Sequence, residues 1–299
     1  MTVELRTVDT AHLHVAYYER GPRDGPPVLL AHGFPDDART WDRLSGALAD
    51  DGFRAIAPFV RGFGPTRFVR GAVKTGEVAA LARDLLELAD ALALERVHVI
   101  GHDWGARAAY AAAALAPERI RSLTALAVAY GTNQPARTMS IEQTRAYWYQ
   151  WYFATPRGEA ELEGNARAFC RALWRYWSPG WQVADAEFDA TAASFENPDF
   201  VPVVISSYRQ RWGFIPGAPE YGAERARLAT APRLDVPTLV LMGGDDGATL
   251  PSSAEGKEAL FTGPYRVEVL AGAGHFVQRE RPDLVAERVR AHVRAYERA

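Results

Sequence analysis

The stretch Gly101-His102-Asp103-Trp104-Gly105 carries the strongest structural signal in this chain of 299 residues. The apolar run Glu95–Ile100 comes directly before it, and the alanine-rich run Ala108–Ala116 follows shortly after it. A residue framed by two such glycines between a strand and a helix is typical of a sharp turn that exposes one side chain at the edge of a parallel sheet. Here that residue is Asp103. The competing interpretation is a chance pair of glycines, with Asp103 capping the helix.

Short apolar runs alternate with helical patterns on both sides of this turn. The runs that predict strands are Val3–Val8, His14–Tyr18, Pro27–Ala31, Phe53–Val60, Glu95–Ile100, Leu123–Ala129, Pro237–Met242 and Tyr265–Leu270. Apolar residues recur at helical spacing in Thr40–Leu48, Val78–Leu94 and Pro282–Arg298. Together these patterns predict an α/β fold, with a mostly parallel eight-stranded sheet flanked by helices.

The alternation stops at about Gly131 and resumes after Pro232. Between these positions the spacing is helical, aromatic residues are dense and buried-strand runs are missing from the sequence. We therefore predict a core domain made of residues 1–130 and 234–299, and a helical cap domain at residues 131–233 inserted between core strands. Ligands of open α/β sheets bind at the carboxyl ends of the strands, where such a cap would lie.

Composition excludes several other classes of function. The net charge is −3, and hydrophobic residues make up 48% of the chain, so we expect neither nucleic acid nor a membrane surface as a partner. The single cysteine, Cys170, cannot form an internal disulfide. Met1–Thr10 has no apolar core of the kind that signal peptides carry, and no apolar run approaches the ~20 residues that span a bilayer. A cytoplasmic protein, monomeric or homodimeric, is the expectation.

Two further positions complete a reaction site around Asp103. A free aspartate carboxyl has a pKa of about 3.9, so it is already ionised at neutral pH and can attack a saturated carbon. His275, in a glycine-rich turn after the last predicted strand, is the candidate base that would activate water against the resulting ester. Asp246, just past the strand that ends at Met242, is the candidate acid that orients His275. Asp245 is its rival, and one of the pair caps the turn.

The negative charge that forms during ester cleavage needs hydrogen-bond donors. The backbone N–H groups of Trp104 and Phe34 are the candidates, because Phe34 lies in the turn His32–Pro35 that follows a predicted strand. Pro35 has the context of a cis proline. An ordinary turn is the alternative interpretation of this motif when it is taken alone.

These motifs resemble the epoxide hydrolase and haloalkane dehalogenase branch of the α/β-hydrolase superfamily. The resemblance rests on HGFP at 32–35, RGFG at 61–64, GHDWGA at 101–106, GGDD at 243–246 and GHF at 274–276. It implies an α/β-hydrolase fold with a helical cap, an aspartate nucleophile and a reaction without metal or organic cofactor.

Two segments of the cap favour the epoxide hydrolases. Residues 149–153 (YQWYF) and 207–212 (SYRQRW) resemble the segments that carry the two ring-opening tyrosines of soluble epoxide hydrolases. This implies that Tyr149 and Tyr208 donate hydrogen bonds to the oxygen of an apolar or aromatic epoxide. Tyr147 and Tyr152 compete for the first role, and both assignments compete with simple aromatic packing.

The predicted substrate-binding residues surround these motifs. They are His32, Pro35, His102, Trp148 and Trp151.

Two other functions remain open at the level of sequence. A haloalkane dehalogenase would use the same aspartate, histidine and acid, although Phe34 stands where many dehalogenases have a halide-binding Asn. A ligand-binding protein without activity would have no need for Asp103, Asp246 and His275 together.

Overall fold

The computed structural model describes residues 4–132, 138–183 and 185–297. Val3 and Arg298, which fall in the first predicted strand and the last predicted helix, lie outside these residues. Residues 133–137 and 184 of the predicted cap also lie outside them.

A single sheet forms the centre of the molecule. Its strands are β1 Leu5–Asp9, β2 Leu13–Arg20, β3 Pro27–Ala31, β4 Arg54–Pro58, β5 Arg67–Phe68, β6 Val97–His102, β7 Ile120–Leu126, β8 Thr238–Gly243 and β9 Tyr265–Leu270. Within the described residues these nine strands are ordered β1-β2-β4-β3-β6-β7-β8-β9, and β5 pairs with β2. The pairs that involve β2 are antiparallel and the others are parallel.

The predicted α/β architecture is therefore confirmed, with one strand more than expected. The additional strand, β5, has only two residues. That length is too short to produce an alternating or apolar pattern that a sequence could reveal.

Helices cover both faces of the sheet, and six of them lie in the described chain between β7 and β8. They are α1 Asp42–Asp50, α2 Val78–Ala91, α3 Trp104–Leu115, α4 Ile141–Ala146, α5 Trp148–Phe153, α6 Pro156–Trp177, α7 Asp185–Ala192, α8 Phe200–Arg211, α9 Gly222–Leu228, α10 Val277–Glu280 and α11 Pro282–Glu297. None of the helices in the described parts of the chain combines the length and apolar composition that crossing a bilayer requires.

Alternate residues of the central strands pack into two separate cores. Val28 and Leu30 of β3 pack with buried side chains of α1 and α11, whereas Leu29 packs with those of α2 and α3. This alternation follows from the two-residue period of a strand. It explains why the central strands are apolar at nearly every position: both of their faces are buried.

Helices α4 to α8 lie over the edge of the sheet where β6 and β8 end, and α9 packs against α2 and α3 on one face of the sheet. Among the described residues between 131 and 233 the chain forms helices and turns but no strand. The division into a core and an inserted cap domain stays a prediction, and we refer to α4–α9 as the helical segment.

The turn after β6 requires glycine because backbones meet there. A Cβ atom added to Gly105 would lie 1.9 Å from the carbonyl oxygen of Ala31, and one added to Gly101 would lie 2.2 Å from the carbonyl oxygen of Gly105. These contacts bring α3, β3 and β6 close together directly beneath Asp103. The position of Asp103 therefore depends on the two glycines.

Replacing Gly105 with alanine should destabilise the protein by about 3 kcal/mol, the upper part of the range for overpacking a tightly packed site. The matched control is Gly46→Ala in α1, where an added Cβ would have its nearest neighbour at 3.6 Å. That control should be stabilised by about 1 kcal/mol through helix propensity alone. Urea unfolding followed by circular dichroism measures both changes, and equal stabilities for the two variants would contradict the prediction.

Candidate active site

Asp103 lies between β6 and α3 in an unusual backbone conformation. Its φ is +50° and its ψ is −110°, values that residues with a side chain rarely adopt. Such strain persists only where the surrounding structure imposes it, and it is concentrated at functional sites. The Asp103 side chain makes no capping hydrogen bond to α3, so helix capping does not account for this residue.

The HGFP turn lies directly against this bend. The backbone N–H of Phe34 donates a hydrogen bond to Oδ1 of Asp103 over 3.1 Å. A Cβ atom on Gly33 would lie 2.6 Å from the backbone nitrogen of Trp104, which shows how closely the two turns approach. Of the two predicted N–H donors, that of Phe34 thus contacts the Asp103 carboxylate, and that of Trp104 lies against the HGFP turn. The Phe34–Pro35 peptide bond is cis.

His275 and Asp246 form a buried pair on the loops after β9 and β8. Nδ1 of His275 lies 2.8 Å from Oδ2 of Asp246. Oδ1 of Asp246 accepts hydrogen bonds from the backbone N–H groups of Ala248 and Thr249, at 2.7 and 2.9 Å. Asp245 is exposed. Of the two rival aspartates, Asp246 is therefore the one that contacts the imidazole.

The other imidazole nitrogen faces Asp103. Nε2 of His275 lies 3.9 Å from Oδ2 of Asp103 and has no hydrogen-bond partner within the described residues. Burial works to lower the pKa of His275, but the carboxylates of Asp246 and Asp103 outweigh it and hold this pKa above its ordinary value of 6.5. A histidine oriented on one side by a carboxylate, with its second nitrogen beside a nucleophile, can act as a general base there.

Two buried tyrosines from the helical segment come together near Asp103. The rings of Tyr149 in α5 and Tyr208 in α8 lie 5.4 Å apart between centroids. Burial raises the pKa of both phenols well above 10, and the negative charge of Asp103 raises both further. Both hydroxyls therefore keep their protons at neutral pH and can act as hydrogen-bond donors.

The competing tyrosines pack elsewhere. The ring of Tyr147 lies 6.2 Å from that of Trp212, and the ring of Tyr152 lies 6.2 Å from that of Phe169.

Two of the predicted substrate-binding residues are buried histidines with backbone partners. Nε2 of His32 accepts from the Val60 N–H over 3.0 Å, and Nδ1 donates to the Gly33 carbonyl over 3.1 Å. Nε2 of His102 donates to the His275 carbonyl over 3.0 Å. Burial lowers the pKa of both rings to about 4, so they are neutral at physiological pH. Each ring supports a turn of the site, and its contact with substrate stays a prediction.

The other three predicted substrate-binding residues have different surroundings. The Pro35 carbonyl accepts a hydrogen bond from Nε1 of Trp174 over 2.8 Å. Trp151 packs on Trp212 at 4.5 Å between ring centroids, and Trp148 is 41% exposed. These two tryptophans thus lie towards the outside of the helical segment, and a role for them in binding substrate stays a prediction.

Sequence reasoning did not identify the end of α6 as part of the site. The Trp177 ring lies 4.9 Å from both His275 and Tyr149. The His275 N–H donates to the Trp177 carbonyl and to the Ser178 hydroxyl, both at 3.0 Å, and the Gly247 N–H also donates to the Trp177 carbonyl at 3.0 Å. The helical segment therefore holds the histidine loop and the acid loop together.

Glu280 extends this connection into α10. The Ser178 hydroxyl donates to Oε1 of Glu280 over 2.6 Å, and the Gly274 N–H donates to Oε2 over 2.7 Å. The only indication of this part of the site in the sequence was the high density of aromatic residues around position 177. That signal did not show which loops they would meet.

A cavity of about 360 Å³ lies between α2, α3, α8 and α9, and the described residues that line it include neither Asp103 and His275 nor the two tyrosines. Ser207 and Arg211, on either side of Tyr208 along α8, contribute to its wall together with Arg107, one helical turn after Asp103. Much of the remaining wall is apolar, including Ala111 and Leu228. The described part of the chain contains no group of three or more His, Cys, Asp or Glu side chains arranged to hold a metal ion.

Known proteins are similar in sequence to this protein along most of its chain. The model of the alpha/beta hydrolase fold family matches residues 26–282. Epoxide hydrolase A of Mycobacterium tuberculosis is 31% identical to this chain and matches 93% of each sequence. An epoxide hydrolase of Caballeronia sordidicola is 30% identical and matches 93% of this chain and 89% of its own.

Solved structures lead to the same group of proteins. A Klebsiella pneumoniae protein, named provisionally as an epoxide hydrolase, superposes with a TM-score of 0.92 at 37% identity over 97% of each chain. Epoxide hydrolase A of Mycobacterium thermoresistibile superposes with a TM-score of 0.78 at 26% identity over 99% of each chain.

Proposed function

Because the chain belongs to the α/β-hydrolase fold family, and within it to the epoxide hydrolases, we propose that it converts an epoxide to a vicinal diol through a covalent ester on Asp103. The observation that carries this proposal is the pair of buried, protonated tyrosines beside a strained aspartate and a carboxylate-oriented histidine. Opening an epoxide needs hydrogen-bond donors at the oxygen that gains negative charge, and two phenols supply them.

In the first step the Asp103 carboxylate attacks one carbon of the epoxide. A bond forms between that carbon and an Asp103 oxygen, and the ring carbon–oxygen bond breaks. Tyr149 and Tyr208 donate hydrogen bonds to the epoxide oxygen, and a phenol proton is transferred to it as negative charge develops there. The product of this step is a hydroxyalkyl ester of Asp103.

In the second step His275, oriented by Asp246, removes a proton from a water molecule that attacks the ester carbonyl. The N–H groups of Phe34 and Trp104 stabilise the resulting oxyanion. The bond between the carbonyl carbon and the alkyl oxygen then breaks. His275 returns its proton to that oxygen, so the diol leaves with one oxygen from Asp103. The second proton of the water, left on the Asp103 carboxyl, returns to the deprotonated tyrosine, and the water oxygen stays in the carboxylate.

The pH dependence of the second step follows from the His275 pKa, which lies above 6.5. Protonated imidazole cannot accept a proton from water, so ester hydrolysis should slow as the pH falls through this pKa. Asp246→Asn removes the charge that raises the pKa, so the acid limb should move to lower pH while the maximal rate also falls. Single-turnover diol release between about pH 5 and about pH 9 measures this shift. An acid limb that Asp246→Asn leaves in place would contradict the assignment.

The proposed substrate is an apolar or aromatic epoxide. The aromatic surroundings of Tyr149 support this, since the rings of Phe153 and Trp177 lie 6.1 and 4.9 Å from its own and offer apolar surface beside the phenol.

The test is a panel of styrene-type, alicyclic and fatty epoxides beside chloro- and bromoalkanes of similar size. We expect diol from at least one epoxide class and no halide above the uncatalysed rate. Halide release without diol formation would identify a dehalogenase instead. Binding without turnover, unchanged in Asp103→Ala, would identify a ligand-binding protein.

A further inference from the structure

The Tyr149 hydroxyl has a partner that the reaction scheme leaves unused. Nε2 of Gln150, the next residue along α5, donates a hydrogen bond to the Tyr149 hydroxyl oxygen over 2.8 Å. Gln150 is buried, with 1% of its surface exposed. A buried amide held against a reactive hydroxyl influences which way that hydroxyl can donate.

The orientation of the Gln150 amide is set by groups that can only donate. Nε1 of Trp212, which follows the last residue of α8, lies 2.9 Å from Oε1 of Gln150. An indole N–H cannot accept a hydrogen bond, so the amide atom that faces it has to be the oxygen. Nη1 of Arg211 approaches the same oxygen at 3.5 Å, and a guanidinium also only donates. The amide NH₂ therefore faces Tyr149.

This arrangement determines the direction of the phenol proton. Because the Tyr149 oxygen accepts from Gln150, its single proton has to point elsewhere, and the open side is the one that it shares with Tyr208. The Tyr208 oxygen is similarly occupied, because Nε1 of Trp104 donates to it over 3.3 Å. Each tyrosine accepts from a group that cannot accept in return, so neither phenol uses its own O–H in that contact, and the two hydroxyls interact with each other.

We propose that Gln150, held in place by Trp212, is a positioning residue that directs the Tyr149 proton towards the epoxide oxygen. Its N–H also stabilises the negative charge that reaches the phenol oxygen during ring opening. This role rests on the proposed function, since it acts through Tyr149 on the first step of that reaction. It predicts an effect on ester formation and none on ester hydrolysis.

The sharpest variant is Gln150→Glu, which keeps the shape of the side chain and still accepts from Trp212. The amide NH₂ of Gln150 donates a hydrogen bond to the phenol, whereas the carboxylate of the variant accepts one from the Tyr149 hydroxyl. The direction of the hydrogen bond is therefore reversed. Ester formation, measured with enzyme in excess by rapid quench and mass analysis of the Asp103 peptide, should slow about tenfold or more. The rate of ester hydrolysis should change by less than about twofold. Gln182→Glu, an exposed site in the same helical segment, adds the same charge and should leave both rates unchanged.

A double-mutant cycle separates positioning from a general structural role. Tyr149→Phe should itself slow ester formation, and adding Gln150→Glu in that background should cost nothing further. Gln150→Leu and Trp212→Phe provide the same comparison if the glutamate variant does not fold.

Two results would overturn the inference alone: wild-type ester formation in Gln150→Glu, or a full additional loss in the Tyr149→Phe background. If the wild-type enzyme forms no ester, the proposed function fails and this role fails with it. If Tyr149→Phe forms the ester at the wild-type rate, the roles of Tyr149 and Gln150 fail while the ester on Asp103 stands.

Discussion

Asp103→Ala should form no measurable diol, with kcat/KM reduced about 10⁴-fold or more, as is typical when a nucleophile is removed. Alanine cannot form the ester, and the remaining groups only bind and polarise the epoxide. His275 would still be able to activate water, but no ester would be present for that water to attack. Diol formation measured by chromatography at substrate saturation tests this expectation. Far-ultraviolet circular dichroism checks that the variant keeps its fold.

Isotope labelling provides an independent test of the same step. In heavy-oxygen water, with enzyme in excess over epoxide, the first turnover should give unlabelled diol and one labelled oxygen in the Asp103 carboxylate. This follows because water attacks the ester carbonyl and not the epoxide carbon. Label in the diol at the first turnover would show direct attack by water and would disprove the covalent scheme.

His275→Gln should accumulate the covalent ester. Ring opening depends on Asp103 and the two tyrosines, so ester formation should keep most of its rate. Ester hydrolysis loses its general base and should slow by about 10²- to 10⁴-fold. After mixing with an epoxide, intact-protein mass spectrometry should show a single addition equal to the mass of the epoxide, located on the peptide that contains Asp103.

The neighbouring residues Asp245 and Asp246 provide a matched comparison for ester hydrolysis. Asp246→Ala should also slow ester hydrolysis, since Asp246 lies 2.8 Å from Nδ1 of His275. Asp245→Ala removes the same group from the exposed neighbour and should leave the rate near that of the wild-type protein. Rapid turnover by His275→Gln, with no adduct at any time point, would exclude His275 as the base.

The fold, and the placement of Asp103, His275 and Asp246 close to one another, could be predicted from the sequence because both depend on local patterns. Asp103 lies in a five-residue motif whose glycines are required by close backbone contacts, and such contacts leave a clear pattern in the sequence. His275 follows the last core strand, where its loop has to reach the carboxyl edge of the sheet. Spacing from β8 also favoured Asp246 over Asp245, and the structure places Asp246 against His275.

Other features depend on packing between distant segments, which no local pattern records. Ser178 meets the histidine loop across nearly a hundred residues of sequence, and Gln150 acts together with Trp212 across 62 positions. The strand β5 is too short to produce a pattern. Trp148 and Trp151 are residues of the type expected to line a binding pocket. Which aromatic rings face inwards, however, depends on how the helices pack.

The contacts at the end of α6 have a consequence for protein engineering. The Trp177 carbonyl and the Ser178 hydroxyl hold the backbone on which His275 and Asp246 are carried. A chimera that exchanges the whole helical region with that of a relative, in order to alter the range of accepted substrates, would therefore also disturb general-base chemistry. Chimeras whose crossover points lie before Trp177 retain these contacts. They offer a route to new substrate selectivity with ester hydrolysis intact.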